Sequence, residues 1–174
     1  MVLTDKELWT VIHGMLLGAL FFLAFSGIWV TLLSLRPENR AGAEIRAGAL
    51  SIAGWATAII LWLTVFTGTY IVYPWYRAKP PQGADLTQFP RSYLLASPDR
   101  AGWHNLGMEW KEHVAWLAPI LVTAVAYVIS RYGVRLVEEE KIRKALIWVF
   151  SIAFVAALAA VVFGAFLNKA APIR

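Results

Sequence analysis

Apolar residues in this chain form four long runs that are separated by short islands of charge. No Asp, Glu, Lys or Arg occurs in residues 8–35, 47–76, 114–130 or 145–168. A hydrocarbon core about 30 Å thick needs roughly 20 helical residues to cross it. A membrane β-strand needs only about ten residues and alternates in polarity, which these runs do not. The pattern therefore predicts four transmembrane helices.

The predicted fold is an all-α integral membrane protein, a single membrane domain over residues 1–174. We expect a four-transmembrane-helix antiparallel bundle, because short connections join the first helix to the second and the third to the fourth. The helices are predicted at about 5–35, 46–75, 105–131 and 139–168. A long outer (periplasmic) loop, about 77–104, connects the second and third helices and contains four prolines.

Local signals refine two of these helices. Thr4 and Glu7 have the spacing of a capping box, which predicts that the first helix begins beside them and is not a cleaved leader. Pro119 lies in the apolar part of the third helix and predicts a kink there, because proline cannot donate the helical hydrogen bond.

Composition supports a membrane protein. The chain is 59% hydrophobic and 16% charged, whereas soluble domains carry about 25% charged residues. The net charge is +5, and we expect the basic residues to contact lipid headgroups and to set the orientation in the membrane. No nucleic-acid partner is therefore predicted. Cysteine is absent, which excludes disulfides, iron–sulfur clusters and thiolate-bound zinc.

Orientation is inferred from the basic residues near the helix ends. Eight of them crowd the two short connections: Arg36, Arg40, Arg46, Arg131, Arg135, Lys141, Arg143 and Lys144. Eight others are spread over a longer stretch: Lys6, Arg77, Lys79, Arg91, Arg100, Lys111, Lys169 and Arg174. The denser set predicts cytoplasmic short loops, with both termini and the long loop periplasmic, in the cell inner membrane. Aromatic residues near the long loop would form an interfacial belt on that side.

Two histidines are the main candidates for chemistry. Intramembrane ionisable residues are rare and mark functional sites. His13 and His113 are expected at similar depth on helices that face each other across the bundle. Bis-histidine ligation of haem b requires this arrangement, so both are predicted as axial ligands of the haem iron. Small neighbours would make room for the haem ring: Gly14, Gly18, Ala115 and Ala118.

A second group of residues is predicted either to line a quinone site or to hydrogen-bond the haem ligands: His104, Glu109 and Glu112. Nine helical residues separate His104 from His113, which puts their rings on opposite faces and excludes them as a pair. A copper or zinc site from His104, Met108, Glu109 and His113 is a further alternative. Each histidine also has a purely structural interpretation, in which it hydrogen-bonds a neighbouring carbonyl or carboxylate.

The long loop carries apolar side chains among its prolines, notably Phe89, Tyr93, Leu94 and Leu95. Such side chains are costly to expose, which predicts that the loop covers the bundle or docks on another subunit. The alternative is a rigid connector that has no partner.

In helix count and histidine placement, the chain resembles the small membrane cytochromes that anchor respiratory dehydrogenases and reductases. The resemblance implies a membrane subunit of a respiratory or photosynthetic electron-transfer complex, either a b-type cytochrome or a quinone-site subunit. Its partners would be the lipid bilayer and other membrane subunits. The alternative is a cofactor-free accessory subunit that stabilises a larger complex. No nucleotide loop or nucleophile elbow is present, so the chain is not expected to be a stand-alone enzyme, although it could be part of a membrane oxidoreductase.

Overall fold

The computed structural model describes residues 3–173 and shows an all-helical chain. Arg174, one of the basic residues used to infer orientation, lies outside the described residues. Five helices are used below: α1 (Asp5–Ser34), α2 (Ala43–Tyr76), α3 (Pro90–Leu95), α4 (Pro98–Val137) and α5 (Glu140–Ala170). All but α3 are long and apolar enough to cross a membrane.

The helix ends follow local sequence signals. The predicted capping box of α1 is confirmed: Thr4 Oγ1 accepts from the Glu7 amide at 3.2 Å, and the Thr4 amide donates to Glu7 Oε2 at 2.9 Å. Gly42 precedes α2 with φ 67°, a conformation in which glycine is not penalised. The loop begins after Tyr76, and hydrogen bonds from Thr87 hold the pKa of the Asp85 carboxyl below its usual value.

Three of the four long helices contain a π-helical segment. These lie at Ile12–Leu16 in α1, Gly68–Val72 in α2 and Trp103–Met108 in α4. A π-turn carries one more residue than an α-turn, which rotates the side chains that follow, and such turns are frequent at functional sites. The sequence patterns did not predict them.

The helix α4 is also interrupted one turn before Pro119. Residues 114–116 are not α-helical, and the Ala115 amide donates to the Trp110 carbonyl five residues earlier at 3.3 Å. Pro119 has no amide to offer the Ala115 carbonyl, which accounts for a break at this point.

The chain forms two compact units, and each long helix contributes residues to both. The described part of unit 1 comprises residues 3–18, 63–116 and 157–173. One cluster of its apolar core brings α3 together with residues in or next to three long helices: Tyr76, Leu94, Met108, Leu167 and Ala171. Leu94 is completely buried in this cluster, whereas Leu95 is exposed.

Unit 2 comprises residues 19–62 and 117–156. Phenylalanines of α1 and α5 stack in its core, with Phe25 and Phe154 ring centroids 3.9 Å apart. On the α2 side, Gly54 lets α4 approach so closely that a Cβ at this position would lie 3.3 Å from the Ala126 Cβ. Arg143 is buried, and its Nη1 donates to the Leu136 and Val137 carbonyls at 2.7 and 3.0 Å.

Large apolar side chains remain exposed along the long helices. Examples are Leu23, Ile52, Trp148 and Val155, each at least 60% exposed. A water-soluble protein rarely leaves so many exposed, whereas lipid tails solvate them readily. The exposed faces of the long helices therefore fit lipid contact in a multi-pass membrane protein.

Candidate functional site

All three histidines of the chain belong to unit 1, and His13 is held by α2. The His13 Nδ1 lies 2.9 Å from the Thr64 carbonyl oxygen, with the Thr67 hydroxyl oxygen at 3.4 Å. A carbonyl only accepts, so Nδ1 carries the proton and donates it. The Nε2 atom of neutral His13 is consequently the nitrogen that has the free lone pair.

Two π-helical segments meet at this ring. His13 belongs to the π segment of α1, and Gly68 begins that of α2. A Cβ at Gly68 would lie only 2.5 Å from the His13 Cε1, so the imidazole occupies a notch that exists because residue 68 is glycine. By contrast, a Cβ at Gly14 would meet nothing within 4 Å, and one at Gly18 would only touch Val161. The position of the His13 ring thus depends on Gly68.

His104, in the third π segment, forms a separate pair with Tyr76. The two side chains are 7% and 3% exposed, and His104 Nδ1 lies 2.9 Å from the Tyr76 hydroxyl. His104 is thereby fixed to α2 at the level where the long loop begins. The sequence had suggested a separate role for this histidine, and the structure gives it a partner that sequence spacing did not reveal.

Charged groups surround the His104–Tyr76 pair. Arg91, Glu109 and Glu112 all lie close enough to act electrostatically on His104. Glu109 and Glu112, which were grouped with His104 in the sequence analysis, therefore lie within electrostatic range of it. Two atoms here, Glu112 Oε1 and Arg91 Nε, are buried and have no hydrogen-bond partner. Buried polar atoms are normally paired, so these two deserve a functional explanation.

His113 is differently placed. Its Nδ1 lies 2.9 Å from the Glu109 carbonyl oxygen and 3.5 Å from Glu109 Oε2, and 71% of its side chain is exposed. The support from Glu109 is of the kind expected from the sequence. As in His13, donation to a carbonyl leaves Nε2 with the lone pair.

A multi-ligand metal site is not formed in the described part of the chain. Residues 3–173 contain no group of three or more His, Cys, Asp or Glu side chains that could hold a metal ion. The alternative copper or zinc site built from His104, Met108, Glu109 and His113 is therefore not supported. Haem iron, which takes only two protein ligands, is a different case.

Lys111 is a site residue that sequence analysis treated only as an interfacial charge. Its ammonium packs on Gly164 of α5, where a Cβ would lie 2.7 Å from Nζ, and it is the charged group that acts on His13. Gly164 on the facing helix could have pointed to Lys111, but only if the pairing of α4 with α5 had been known.

Comparisons with known proteins give no assignment. No family model matches the chain, and no curated protein or solved structure matches it either. The chemistry of unit 1 must be judged from its own side chains. These provide two imidazoles that each donate from Nδ1 to a backbone carbonyl, a buried phenol–imidazole pair and Lys111, whose ammonium packs on Gly164.

Proposed function

We propose that this protein is a membrane electron-transfer subunit of a respiratory or photosynthetic complex and that it holds haem b through His13 and His113. One observation carries the proposal. Both imidazoles use Nδ1 to donate to a backbone carbonyl at 2.9 Å, so both have Nε2 free in the neutral form that an iron ligand requires. Protein ligands to metals are usually oriented by such a hydrogen bond.

The residues of unit 1 fit this role in different ways. His13 is fixed by Thr64 and by the notch at Gly68, which suits a ligand that must not rotate. His113 is supported by Glu109 and is exposed, so it can be reached by a group outside the helix. When bound, haem supplies one-electron transfer, and the protein contributes ligand orientation and the polarity around the ring.

A quinone headgroup at the His104–Tyr76 pair extends the proposal. A quinone exchanges two electrons and two protons, and its oxygens need hydrogen-bond donors and acceptors. The buried pair supplies both kinds, and the unpaired Glu112 Oε1 and Arg91 Nε are polar atoms close by. Within this proposal, Glu109 and Glu112 act as proton-accepting groups near the headgroup.

The proposed arrangement in the membrane follows the charge pattern. The four long helices run antiparallel in the cell inner membrane, with both termini and the long loop periplasmic. Unit 1 contains the loop, so the haem and the quinone would lie near the periplasmic face. The redox partner would be another membrane subunit of the same complex.

A cofactor-free accessory subunit is the second candidate. His113 favours this candidate because its side chain is exposed. Its hydrogen bond to the carbonyl four residues earlier in the same helix is also typical of a histidine that binds no ligand. Loop packing through Leu94 is equally compatible with a structural subunit.

A difference spectrum separates the two candidates. The protein purified from native membranes should show a sharp α band on dithionite reduction. His13→Ala and His113→Ala should each abolish the b-type spectrum, whereas His104→Ala, the matched control, should retain it. A colourless wild-type protein, isolated together with its neighbours, would reject the cytochrome and leave the accessory subunit. Loss of haem only in His104→Ala would show that the ligand pair is wrongly chosen.

A further inference from the structure

Lys111 is a cation within α4, a helix long and apolar enough to cross a membrane, and its side chain lies against α5. The side chain is half-buried, and its Nζ rests on the backbone of Gly164 in α5. A Cβ at residue 164 would lie 2.7 Å from Nζ, so the ammonium would have to move away from an alanine at this position. Intramembrane lysines are costly unless they are paired, which makes Lys111 a candidate for ligand binding.

The carboxylates nearest in sequence do not pair with Lys111. Glu109 Oε2 lies 3.5 Å from His113 Nδ1, and Glu112 interacts with the Tyr73 side chain while its Oε1 has no hydrogen-bond partner. Among residues 3–173, the three ion pairs do not include Lys111, so no carboxylate lies within ion-pair distance of its ammonium. The ammonium therefore has no carboxylate counterion among these residues, and a bound anion would be favoured beside it.

The surroundings of Lys111 define what kind of counterion fits. Trp110 and Phe163 are the sequence neighbours of Lys111 and Gly164; their ring centroids are 6.2 Å apart, and Phe163 also packs on Gly107. The charge acts on His13, the histidine held by Thr64. A lone cation among aromatic and small residues suits an amphiphile that carries one oxyanion on an otherwise apolar body.

We propose that Lys111 binds the oxyanion of such an amphiphile, and that Gly164 is the residue that makes room for the ammonium. Two molecules could supply this oxyanion. The first is haem, through one of its carboxylates, and this choice rests on the proposed function. The second is an anionic phospholipid, through its phosphate, and this choice is independent of the proposed function.

Two arms of one experiment distinguish the sources. In the first, the rate of haem transfer from the intact protein to apomyoglobin is measured for Lys111→Met, Lys111→Arg and the control Lys169→Met, at an exposed position. In the second, native mass spectrometry counts phosphatidylglycerol molecules retained by the same variants, with phosphatidylcholine as reference. Loss of one charge-assisted contact in Lys111→Met is expected to accelerate haem loss, or to weaken lipid retention, about tenfold. Lys111→Arg keeps the charge and should restore the wild-type haem or lipid retention.

Gly164→Ala gives an independent test because it keeps the charge but pushes the ammonium away. It should change both readouts in the same direction as Lys111→Met but by less, because the end of a lysine side chain can shift, whereas Gly102→Ala, where a Cβ meets nothing within 4 Å, should change neither. An effect in the haem arm identifies a haem carboxylate, and an effect in the lipid arm alone identifies a phospholipid even if the protein proves colourless. If Lys111→Met matches Lys169→Met in both arms, the proposal is wrong. Lys111→Gln replaces the methionine variant if that variant does not fold.

Discussion

At the scale of single residues, the three histidines share one feature that the sequence could not reveal. Each has its Nδ1 within 2.9 Å of a hydrogen-bond partner: Thr64 for His13, Tyr76 for His104 and Glu109 for His113. The partners of His13 and His104 lie on another helix, 51 and 28 residues away in sequence. Sequence analysis could therefore select the histidines, but it could not determine which nitrogen each one presents.

The notch at Gly68 leads to a prediction at this scale. Gly68→Ala introduces a Cβ that would lie 2.5 Å from the His13 ring, so either the ring or α2 must move. We expect a loss of about 1–3 kcal/mol in the free energy of unfolding, the usual cost of overpacking. We also expect a disturbed b-type spectrum if His13 binds haem. Thermal unfolding in detergent measures the first effect, and the reduced spectrum measures the second.

The matched control for this change is Gly48→Ala, also in α2, where a Cβ would meet nothing within 4 Å. It should be neutral or slightly stabilising, because alanine favours helix. Equal melting temperatures for the two variants would show that the His13 ring is not confined by Gly68.

At the scale of elements, the long loop provides the next prediction. Pro90 and Leu94 are buried, and the Arg100 guanidinium lies 3.9 Å from the Tyr93 ring centroid. Trypsin should therefore cleave slowly at Arg91 and Arg100 in the intact protein, because cleavage requires local unfolding. Arg77 is exposed beyond the end of α2 and should be cut first, which makes it an internal control.

Fragment masses after brief proteolysis decide the question. Cleavage at Arg91 and Arg100 as fast as at Arg77 would show that the loop is a mobile connector. It would also contradict the packing of α3, through Leu94, against the long helices.

The elements also show where sequence analysis was limited. Charge-free runs and capping signals indicate four helices that can cross a membrane, and the described residues contain these four. The helix α4 begins at Pro98, although the third helix was predicted only from about residue 105. Gly102, His104, Asn105 and Gly107 have weak helix propensity, and packing of His104 on Tyr76 overrides it. Local preference could not reveal that contact.

The π-helical segments were missed for a related reason. A π-turn has no residue signature of its own, and it is stabilised by what the shifted side chains contact. In α1 and α2 that contact is His13 against Gly68, between residues 55 positions apart in the chain. Only the three-dimensional structure brings them together.

At the scale of the whole molecule, the prediction concerns topology. Reporter fusions at Arg40 and Arg135 should be cytoplasmic, and fusions at Gly83 and Arg174 should be periplasmic. The reason is the dense basic charge of the two short connections, because basic loops are usually retained on the cytoplasmic side. Alkaline phosphatase and green fluorescent protein fusions, active on opposite sides, serve as mutual controls. A cytoplasmic signal at residue 83 would reverse the orientation and place unit 1 at the inner face.

The buried Arg143 has a consequence for how the protein is made. Its guanidinium satisfies the Leu136 and Val137 carbonyls, which are among the last of α4, from a position in the first turn of α5. These groups would otherwise enter the bilayer unpaired or hold the turn at its surface. The two helices are thus latched by residues only six or seven positions apart, so they can leave the translocon together as one preformed hairpin. The arginine that sequence analysis used only as a topology signal therefore also joins the last two long helices.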